Sequence, residues 1–418
     1  MERTFAPGTL CGTMQAPPSK SEAHRRMICA ALASGCSHLS GFASSKDMEA
    51  TMNCLTALGA SFRAEGTQLT VTGVPGRADF APAMDCGESG STLRFLLPVS
   101  LAAGEGGRFL LHGRLGERPL SPYAPIFAAC GVQWAQTAET VEVRGRLKPG
   151  RYTLPGNVSS QFVSGMLFAL PLLAEDSFLQ VEQPVESAGY IRMTVQCLQA
   201  HGIVLEELRP WVWRVPGNQR YQARDAQLPG DWSQGAVPLC AAALGHPVTV
   251  AGLPGETAQG DRAAAEVLAR LGACPHITAE GWTCSGGALR GACFTGRDIP
   301  DIVPVLALVC TQAAGESRIT DCGRLRLKES DRFAATVELL RGLGAEIHGE
   351  GDDLVIRGPV RLQGGCTLSA RNDHRLVMLL ALAATLTVQP VTVQGVEALE
   401  KSWPTFLAQY AELGGSIK

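Results

Sequence analysis

A short signature recurs six times along the 418-residue chain. In each copy a helix-like segment ends in a glycine, and a small or branched residue follows, as in LARLGA and LRGLGA. The six glycines are Gly59, Gly131, Gly202, Gly272, Gly344 and Gly414. Successive glycines are 72, 71, 70, 72 and 70 residues apart. This near-equal spacing predicts six copies of one supersecondary unit, because a fixed internal period is typical of repeat architectures.

The residues around each glycine indicate what the unit contains. Two helical patterns separated by a strand-like stretch precede it, and glycine often takes the left-handed conformation that ends a helix. Two strand-like stretches with a turn between them follow it, as in AEIHGEGDDLVIRG. Each unit is therefore predicted to be β-α-β-α-β-β, and the fold class is α/β.

The two ends of the chain suggest how the repeats are grouped. The last repeat stops four residues after its glycine, in GSIK, whereas RTFAPGTLCGTMQAPP is a strand-like segment before the first repeat. We infer that the N-terminus completes the last repeat. Three repeats lie on either side of AQLPGDWS, where a second crossing is expected. The prediction is a discontinuous lobe I of residues 1–17 and 229–418, and a lobe II of residues 18–228.

Composition excludes several classes of function. The chain is 45% hydrophobic and 18% charged with a net charge of −3, which is typical of a globular protein with more than one core. Without a basic surplus we expect no nucleic-acid partner. We expect no membrane partner, since Gln389 and Pro390 interrupt the most apolar stretch. Fourteen cysteines without a CxxC or a Cys/His cluster favour reduced thiols in a cytoplasmic protein, and no zinc site.

Cations stand at predicted helix starts, where the helix dipole normally favours acids. One solvated, salt-bridged start would explain RLRLKESDRF alone, but not the whole set. Its members are Lys20, Arg25, Arg94, Arg118, Lys328, Arg332, Arg375 and Lys401. Free N–H groups, serine hydroxyls and cations together bind phosphate and carboxylate groups. Because no Walker A motif or GxGxxG occurs, we expect a small molecule with several anionic groups.

Seven motifs in order, SKSEAHR, ESGSTLRF, ERP, SSQF, KESDR, NDHR and KSWPTF, closely resemble the enolpyruvyl transferases. The resemblance covers essentially the whole chain and is to the branch that acts on shikimate 3-phosphate. It implies two similar lobes of three βαβαββ repeats, of the inside-out α/β barrel type, which close over the substrates. It also implies that phosphoenolpyruvate donates its carboxyvinyl group to the 5-hydroxyl of shikimate 3-phosphate and that phosphate leaves, on the route to chorismate and aromatic amino acids. No cofactor or metal is implied, and we expect a monomer.

The resemblance also assigns ligands to positions of this chain. Shikimate 3-phosphate would be held by Lys20, Ser21, Arg25, Ser159, Ser160, Ser187, Tyr190, Asp301 and Lys328. Phosphoenolpyruvate would be held by Lys20, Gly90, Arg118, Gln161, Arg332, Arg375 and Lys401.

The reaction requires two kinds of proton transfer. The methylene carbon of the donor gains a proton, the hydroxyl attacks the resulting oxocarbenium-like carbon, and the tetrahedral adduct loses phosphate and a proton. Asp301 is the candidate base for the hydroxyl. Glu329 is the candidate for the methylene carbon, with Lys20 as an alternative or partner. Asp301 could instead cap the helix that begins in GRDIPDIV, a task that Asp298 could also perform.

Several residues depart from the family pattern or admit two interpretations. Glu88 and Arg324 stand where the family usually has asparagine, and SSKD replaces a more usual paired aspartate before Asp47. Gly90 could be needed for a positive φ before its helix, or for the space that its missing side chain leaves. The second interpretation predicts that Gly90→Ala excludes glyphosate, the family's inhibitor, more than the shorter phosphoenolpyruvate.

Three other functions compete with this prediction. The sister transferase that acts on UDP-N-acetylglucosamine carries a cysteine before its ARP motif, where HGRLGERP has Gly113. An RNA-binding or RNA-end-processing relative would need aromatic side chains for stacking, and only 6% of the residues are aromatic. A non-catalytic anion-binding relative would not need both Asp301 and Glu329.

Overall fold

The chain folds into two units in the computed structural model, which describes residues 1–74, 81–285 and 287–418. Unit 1 comprises residues 1–17 and 230–418, and unit 2 comprises residues 18–229. The strands are, in chain order, β1 (Glu2–Phe5), β2 (Gly12–Gln15), β3 (Ala33–Ser40), β4 (Ser61–Glu65), β5 (Gln68–Gly73), β6 (Ala81–Asp85), β7 (Gly106–Leu110), β8 (Gln133–Gln136), β9 (Thr140–Arg144), β10 (Arg151–Pro155), β11 (Ser177–Glu182), β12 (Glu206–Arg209), β13 (Val212–Val215), β14 (Tyr221–Gln222), β15 (Ala226–Gln227), β16 (Val248–Ala251), β17 (Cys274–Thr278), β18 (Gly281–Ser285), β19 (Cys293–Thr295), β20 (Gly315–Thr320), β21 (Glu346–Glu350), β22 (Asp353–Gly358), β23 (Thr367–Ser369) and β24 (Val391–Gln394). The α-helices are α1 (Lys20–Ala31), α2 (Lys46–Ala57), α3 (Gly90–Ala103), α4 (Ala124–Cys130), α5 (Ser160–Ala169), α6 (Ala188–Ala200), α7 (Trp232–Ala243), α8 (Ala263–Arg270), α9 (Val303–Thr311), α10 (Arg332–Gly342), α11 (His374–Ala384) and α12 (Phe406–Glu412).

Each repeat forms a small sheet of its own. In the second repeat the strand order is β6-β7-β9-β8. β6 is parallel to β7, whereas the pairs β7–β9 and β8–β9 are antiparallel. The sheets β10-β11-β13-β12 and β19-β20-β22-β21 have the same order. The predicted β-α-β-α-β-β unit and the α/β fold class are confirmed.

Three sheets take a strand from a distant part of the same unit. β1 lies antiparallel to β24 of the last repeat, and Phe5 bridges Ile417 near the C-terminus. β2 lies parallel to β16 of the fourth repeat. β14 and β15, at the end of unit 2, lie parallel to β3 of the first repeat. The N-terminal segment therefore contributes strands to two sheets of unit 1.

The first helix of each repeat in unit 1 is fully buried. Every residue of α7, α9 and α11 is buried, and the three helices pack against one another. A helix that is apolar on all sides, such as VPVLALVCT in α9, is stable only where it is surrounded. In unit 2, α3 packs against α5 in the same way. Within the described residues, no helix is long and apolar enough to cross a membrane.

The glycine of every repeat has the backbone conformation that its position predicted. The φ angles of the six glycines lie between 72° and 108°. Each glycine follows the second helix of its repeat, so that the chain turns into the next strand without the steric cost that a side chain would bring.

Candidate active site

Alternating charges meet at the starts of α9, α10 and α11 in unit 1. Arg332, the first residue of α10, is 1% exposed and donates to three carboxylates. Its Nη1 lies 2.6 Å from Asp301 Oδ1, its Nη2 lies 2.6 Å from Glu329 Oε2, and its Nε lies 2.7 Å from Asp373 Oδ2. A buried guanidinium is tolerated here because each edge of its rigid fork finds a carboxylate oxygen.

Asp301 is surrounded by cations. Lys328 Nζ donates to its Oδ1 at 3.1 Å, Arg332 donates to the same oxygen, and Arg375 Nη2 lies 4.0 Å from Oδ2. Burial raises the pKa of Asp301, but Lys328, Arg332 and Arg375 outweigh that effect and hold the pKa well below its ordinary value. Asp301 is therefore a carboxylate at neutral pH.

Asp301 does not cap the helix that follows it. α9 begins at Val303, and its N-cap, Ile302, makes no side-chain cap bond. The alternative interpretation of Asp301 as an N-cap is therefore wrong. Its partly exposed side chain, with 23% accessible, instead pairs with cations.

Asp373 is the residue of this cluster that the sequence did not single out as functional. It is fully buried and accepts from Arg332 Nε and Nη2, from Ser330 Oγ at 2.9 Å, and from the backbone N–H of Arg375 at 2.9 Å. In the sequence it is one aspartate at a helix start, where an N-cap is the usual explanation. It is the N-cap of α11, but it also orients Arg332.

The remaining predicted cations of unit 1 lie at the start of α11. Arg375 Nη1 donates to the carbonyl oxygen of Ser233 at 2.6 Å, and Lys401 Nζ donates to that of Asn372 at 2.7 Å. Asn372 has a positive φ of 56°, which is uncommon outside glycine and often marks functional sites. The unit thus brings Asp301, Lys328, Glu329, Arg332 and Arg375 together, with Lys401 on the backbone just before α11.

The first helix of each repeat in unit 2 begins after an N-cap serine. The hydroxyl oxygens of Ser19, Ser89 and Ser159 accept backbone N–H groups in the first turns of α1, α3 and α5. Each cap leaves the next residue at the start of its helix: Lys20, Gly90 and Ser160. Lys20 Nζ donates to Asp47 Oδ2 at 2.7 Å. This carboxylate holds the ammonium group in place.

Arg25 is a buried cation whose hydrogen bonds all go to uncharged oxygens in the described part of the chain. It is 2% exposed and donates to Thr194 Oγ1 at 2.7 Å, to Ser164 Oγ at 3.4 Å, and to the carbonyl oxygens of Ser21 at 2.6 Å and Tyr190 at 3.1 Å. Burial lowers the pKa of Arg25 to about 10. A buried charge without a carboxylate bonded to it is expensive, and an anionic ligand would offset that cost.

A second set of polar side chains lies around the start of α3. Arg94 Nη1 donates to Gln161 Oε1 at 2.7 Å, and Gln161 Nε2 donates to Ser91 Oγ at 2.9 Å. A Cβ on Gly90 would lie 2.6 Å from Arg118 Nη1. The structure thus brings Gly90, Arg118 and Gln161 together. It adds Arg94, which the sequence marked as a cation but not as a ligand.

Space explains Gly90, and backbone conformation does not. Gly90 is absent from the described glycines with positive φ, so the interpretation that required a positive φ is wrong. Because Gly90 has no side chain, the Arg118 guanidinium can pack directly against its backbone.

Ser187 and Tyr190 frame the start of α6. Ser187, the N-cap, is 3% exposed and has the left-handed conformation, with φ 54° and ψ 41°. Such a conformation costs a non-glycine residue free energy that the surrounding structure must supply. The ring of Tyr190 lies 5.9 Å from the guanidinium carbon of Arg25. The residues of α1 and α6 that are assigned to shikimate 3-phosphate therefore lie close together.

Glu88 packs against Gly113. A Cβ on Gly113 would lie 2.7 Å from Glu88 Oε2, and Gly113 has a positive φ of 54°. Both facts disfavour any side chain at this position. A cysteine at this position, which the competing sister transferase carries, would require the Glu88 side chain to move and would have to adopt the left-handed conformation.

The chain is similar to known proteins over nearly its whole length. The profile of the family described as EPSP synthase (3-phosphoshikimate 1-carboxyvinyltransferase) matches residues 5–409. The chain belongs to this family. The 3-phosphoshikimate 1-carboxyvinyltransferase of Clostridioides difficile (strain 630) is 36% identical over 98% of this chain and 97% of its own length. That of Clostridium botulinum (strain Alaska E43 / Type E3) is 38% identical over the same shares. The predicted resemblance is confirmed, and the chain is a transferase.

Solved structures show the same fold. The EPSP synthase of Acinetobacter baumannii superposes with a TM-score of 0.80 at 23% identity, over 100% of this chain and 99% of its own. The enolpyruvyl transferase NikO of Streptomyces tendae gives a TM-score of 0.78 at 19% identity, over 100% and 98%. At these identities the likeness concerns the fold alone, and it confirms the inside-out α/β class.

Proposed function

We propose that this chain transfers the carboxyvinyl group of phosphoenolpyruvate to the 5-hydroxyl of shikimate 3-phosphate and releases phosphate. The observation that supports this most directly is Asp301, an ionised and partly exposed carboxylate beside Lys328, Arg332 and Arg375. Such an arrangement offers a base and an anion-binding site within a few ångströms. Family membership supports the substrates.

Shikimate 3-phosphate is assigned to the side chains at the starts of α1, α5 and α6 and to Asp301 with Lys328. Among the residues that the structure describes, Arg25 has only uncharged acceptors bonded to it, so a phosphate or carboxylate would supply the missing counter-charge. Ser159, Ser160 and Ser187 add hydroxyl groups near helix N-termini, which favour anions. The serine and Arg25 contacts bind and orient the substrate, whereas Asp301 and Lys20 are also candidates for proton transfer.

Phosphoenolpyruvate is assigned to Gly90, Arg118 and Gln161 of unit 2 and to Arg332, Arg375 and Lys401 of unit 1. Lys20 is assigned to both substrates. Arginine pairs bidentately with carboxylate and phosphate, and Arg332 is already held rigid by Asp373. A rigid cation loses little entropy when its ligand binds.

The proton transfers follow from which groups carry a charge. A proton moves from the protonated form of Glu329, or from the ammonium group of Lys20, to the methylene carbon. The 5-hydroxyl oxygen bonds to the adjacent carbon while Asp301 accepts the hydroxyl proton. The adduct then expels phosphate, which takes the proton held by Asp301, and the new methyl group returns its proton to Glu329 or Lys20. In the unliganded protein three cations make Asp301 a weak base. Anionic substrates would compete for Lys328 and Arg332, and the basicity of Asp301 would increase on binding.

A phosphate-release assay tests the proposal. The purified chain, phosphoenolpyruvate and shikimate 3-phosphate should release phosphate in the presence of a chelator. Release with UDP-N-acetylglucosamine instead would support the sister activity, and no release with either acceptor would leave only the anion-binding alternative.

We also propose that the enzyme is a cytoplasmic monomer and a target of glyphosate. All fourteen cysteines are free, as expected in a reducing compartment. Cell fractionation, sedimentation and an inhibition titration test these three statements separately.

A further inference from the structure

Two thiols and an imidazole meet between α1 and α6 of unit 2. The Sγ atoms of Cys29 and Cys197 lie 3.6 Å apart, and each sulfur atom lies within 4.8 Å of a ring nitrogen of His201. Cys29 and His201 are 0% exposed and Cys197 is 1% exposed. Cys197 and His201 are four residues apart at the end of α6, so their side chains share one face.

The hydrogen bonding of His201 leaves one ring nitrogen available. Its Nδ1 lies 2.9 Å from the carbonyl oxygen of Gln222, and a carbonyl can only accept, so Nδ1 carries the hydrogen. Nε2 then has a lone pair, is buried, and has no hydrogen-bond partner in the described part of the chain. Metal-binding histidines are commonly oriented in this way, with the other ring nitrogen donating to a backbone carbonyl.

We propose that Cys29, Cys197 and His201 bind a thiophilic metal ion with a filled d shell, Zn²⁺ or Cu⁺. Thiolate and imidazole are ligands that both ions accept. Two thiolates bound to a tetrahedral zinc at about 2.3 Å lie about 3.8 Å from each other, near the observed 3.6 Å. Two thiolates also neutralise Zn²⁺, so the loaded site can be buried without an uncompensated charge.

The position of the site predicts its effect on the protein. Arg25 of α1 bonds to Thr194 of α6, and Cys29 and Cys197 lie about one turn further along the same two helices. A bound ion would fasten α1 to α6 beneath the residues assigned to shikimate 3-phosphate. It should raise thermal stability, because a ligand that binds only the folded state stabilises it.

The sequence predicted no zinc site because its cysteines form no CxxC motif or Cys/His cluster, and the two cysteines proposed here are 168 residues apart. The local signal was Cys197 with His201 one helical turn later, which is too short to be specific. Only the packing of α1 on α6 adds the third ligand.

The test needs a background without surface thiols. Four cysteines are exposed, Cys11, Cys36, Cys274 and Cys293, and all four are changed to serine first. The matched control is a second buried pair, Cys54 and Cys86. Burial raises the pKa of Cys86, and a hydrogen bond between the two thiols raises it further. No histidine joins this pair in the metal-ligand groups of the described residues.

Zn²⁺ is titrated into the reduced protein by calorimetry in two buffers of different ionisation enthalpy. One ion should bind per chain with release of about two protons, because thiols must deprotonate to bind a metal. Co²⁺ should give thiolate charge-transfer absorption, and Cu⁺ titrated against a chelator decides which of the two ions binds more tightly. Cys29→Ser or Cys197→Ser should weaken binding on the order of a hundredfold or more, whereas Cys54→Ser with Cys86→Ser should not.

Several results would overturn the proposal. Neither ion binding stoichiometrically to the reduced four-serine background would do so. So would uptake that survives Cys29→Ser together with Cys197→Ser. If a cysteine variant does not fold, the stoichiometry and proton release of the parent protein still decide the question.

Discussion

Replacing Asp301 by asparagine should remove most turnover in a protein that remains folded, whereas replacing Asp373 by asparagine should mainly destabilise the protein. Both carboxylates accept from Arg332, at 2.6 Å and 2.7 Å. They differ in exposure, since the Asp301 side chain is 23% accessible and that of Asp373 is 0%. The pair therefore separates a catalytic role from a positioning role at the same guanidinium.

The expected magnitudes follow from these contacts. In the Asp301→Asn variant the amide would keep one oxygen for Lys328 and Arg332, so the change from a charged to a neutral acceptor should cost about 1 kcal/mol of stability. Loss of a general base should lower kcat by roughly 10²–10⁴-fold, or about 3–5 kcal/mol in the barrier. Binding of shikimate 3-phosphate should stay within an order of magnitude, because removal of a negative charge leaves the cations available to the anion.

The Asp373→Asn variant has no comparable way to adapt. Four donors converge on the two oxygens of Asp373. In asparagine one of these oxygens becomes an NH2 group, which cannot accept a hydrogen bond from the donors that face it. Breaking a buried ion pair costs about 3–5 kcal/mol, and the lower end applies because Arg332 keeps Asp301 and Glu329. Urea unfolding followed by circular dichroism measures both variants, and phosphate release gives kcat.

Two results would refute this reasoning. Near-normal turnover in Asp301→Asn would remove Asp301 as the base. Equal destabilisation by the two substitutions would make Asp301 a structural residue like Asp373.

The remaining predictions concern the donor site, a buried acid and the coupling of the two substrates. Gly90→Ala places a methyl carbon 2.6 Å from Arg118 Nη1, so the guanidinium must shift, KM for phosphoenolpyruvate should rise and the inhibition constant of glyphosate should rise by a larger factor. Calorimetric melting should show little loss of stability, and a lower Tm with both constants moving together would contradict the role of space. Burial raises the pKa of Asp261 to about 7, so between pH of about 4 and 7 the folded state holds a proton that the unfolded state has lost, and stability falls as the pH rises through this window. Asp261→Asn should weaken this pH dependence and be more stable than the parent at pH of about 8. Urea titrations would contradict this prediction if the free energy of unfolding changed between pH of about 5 and 8 as much in the variant as in the parent. Shikimate 3-phosphate should tighten the binding of phosphoenolpyruvate or an anionic mimic, and the reverse by linkage; calorimetry that shows independent binding would contradict this coupling.

Local rules were sufficient for the repeat. The six glycines at near-equal spacing predicted the β-α-β-α-β-β unit, and the structure shows a positive φ at each of them. Glycine signals and helix caps act over a few residues, so their meaning does not depend on the rest of the fold. Motif order was likewise sufficient for the family, since KESDR and NDHR are read directly from the chain.

Other features depended on which segments pack together. The borrowed strands β14 and β15 carry no mark of their partner β3, because strand pairing over such a distance is set by the whole unit. Asp373 resembled an ordinary cap until Arg332 was seen to reach it from α10. Gly90 had two interpretations until Arg118 was found beside it.

The sequence by itself therefore determined the repeat, the fold class, the family and the charged helix starts, since these depend on order and spacing along the chain. Only the tertiary structure decided which charges meet: Asp301 with Lys328, Arg332 and Arg375, and Cys29 with Cys197 and His201. Coulomb and coordination interactions act over a few ångströms in space, and no spacing along the chain encodes that distance.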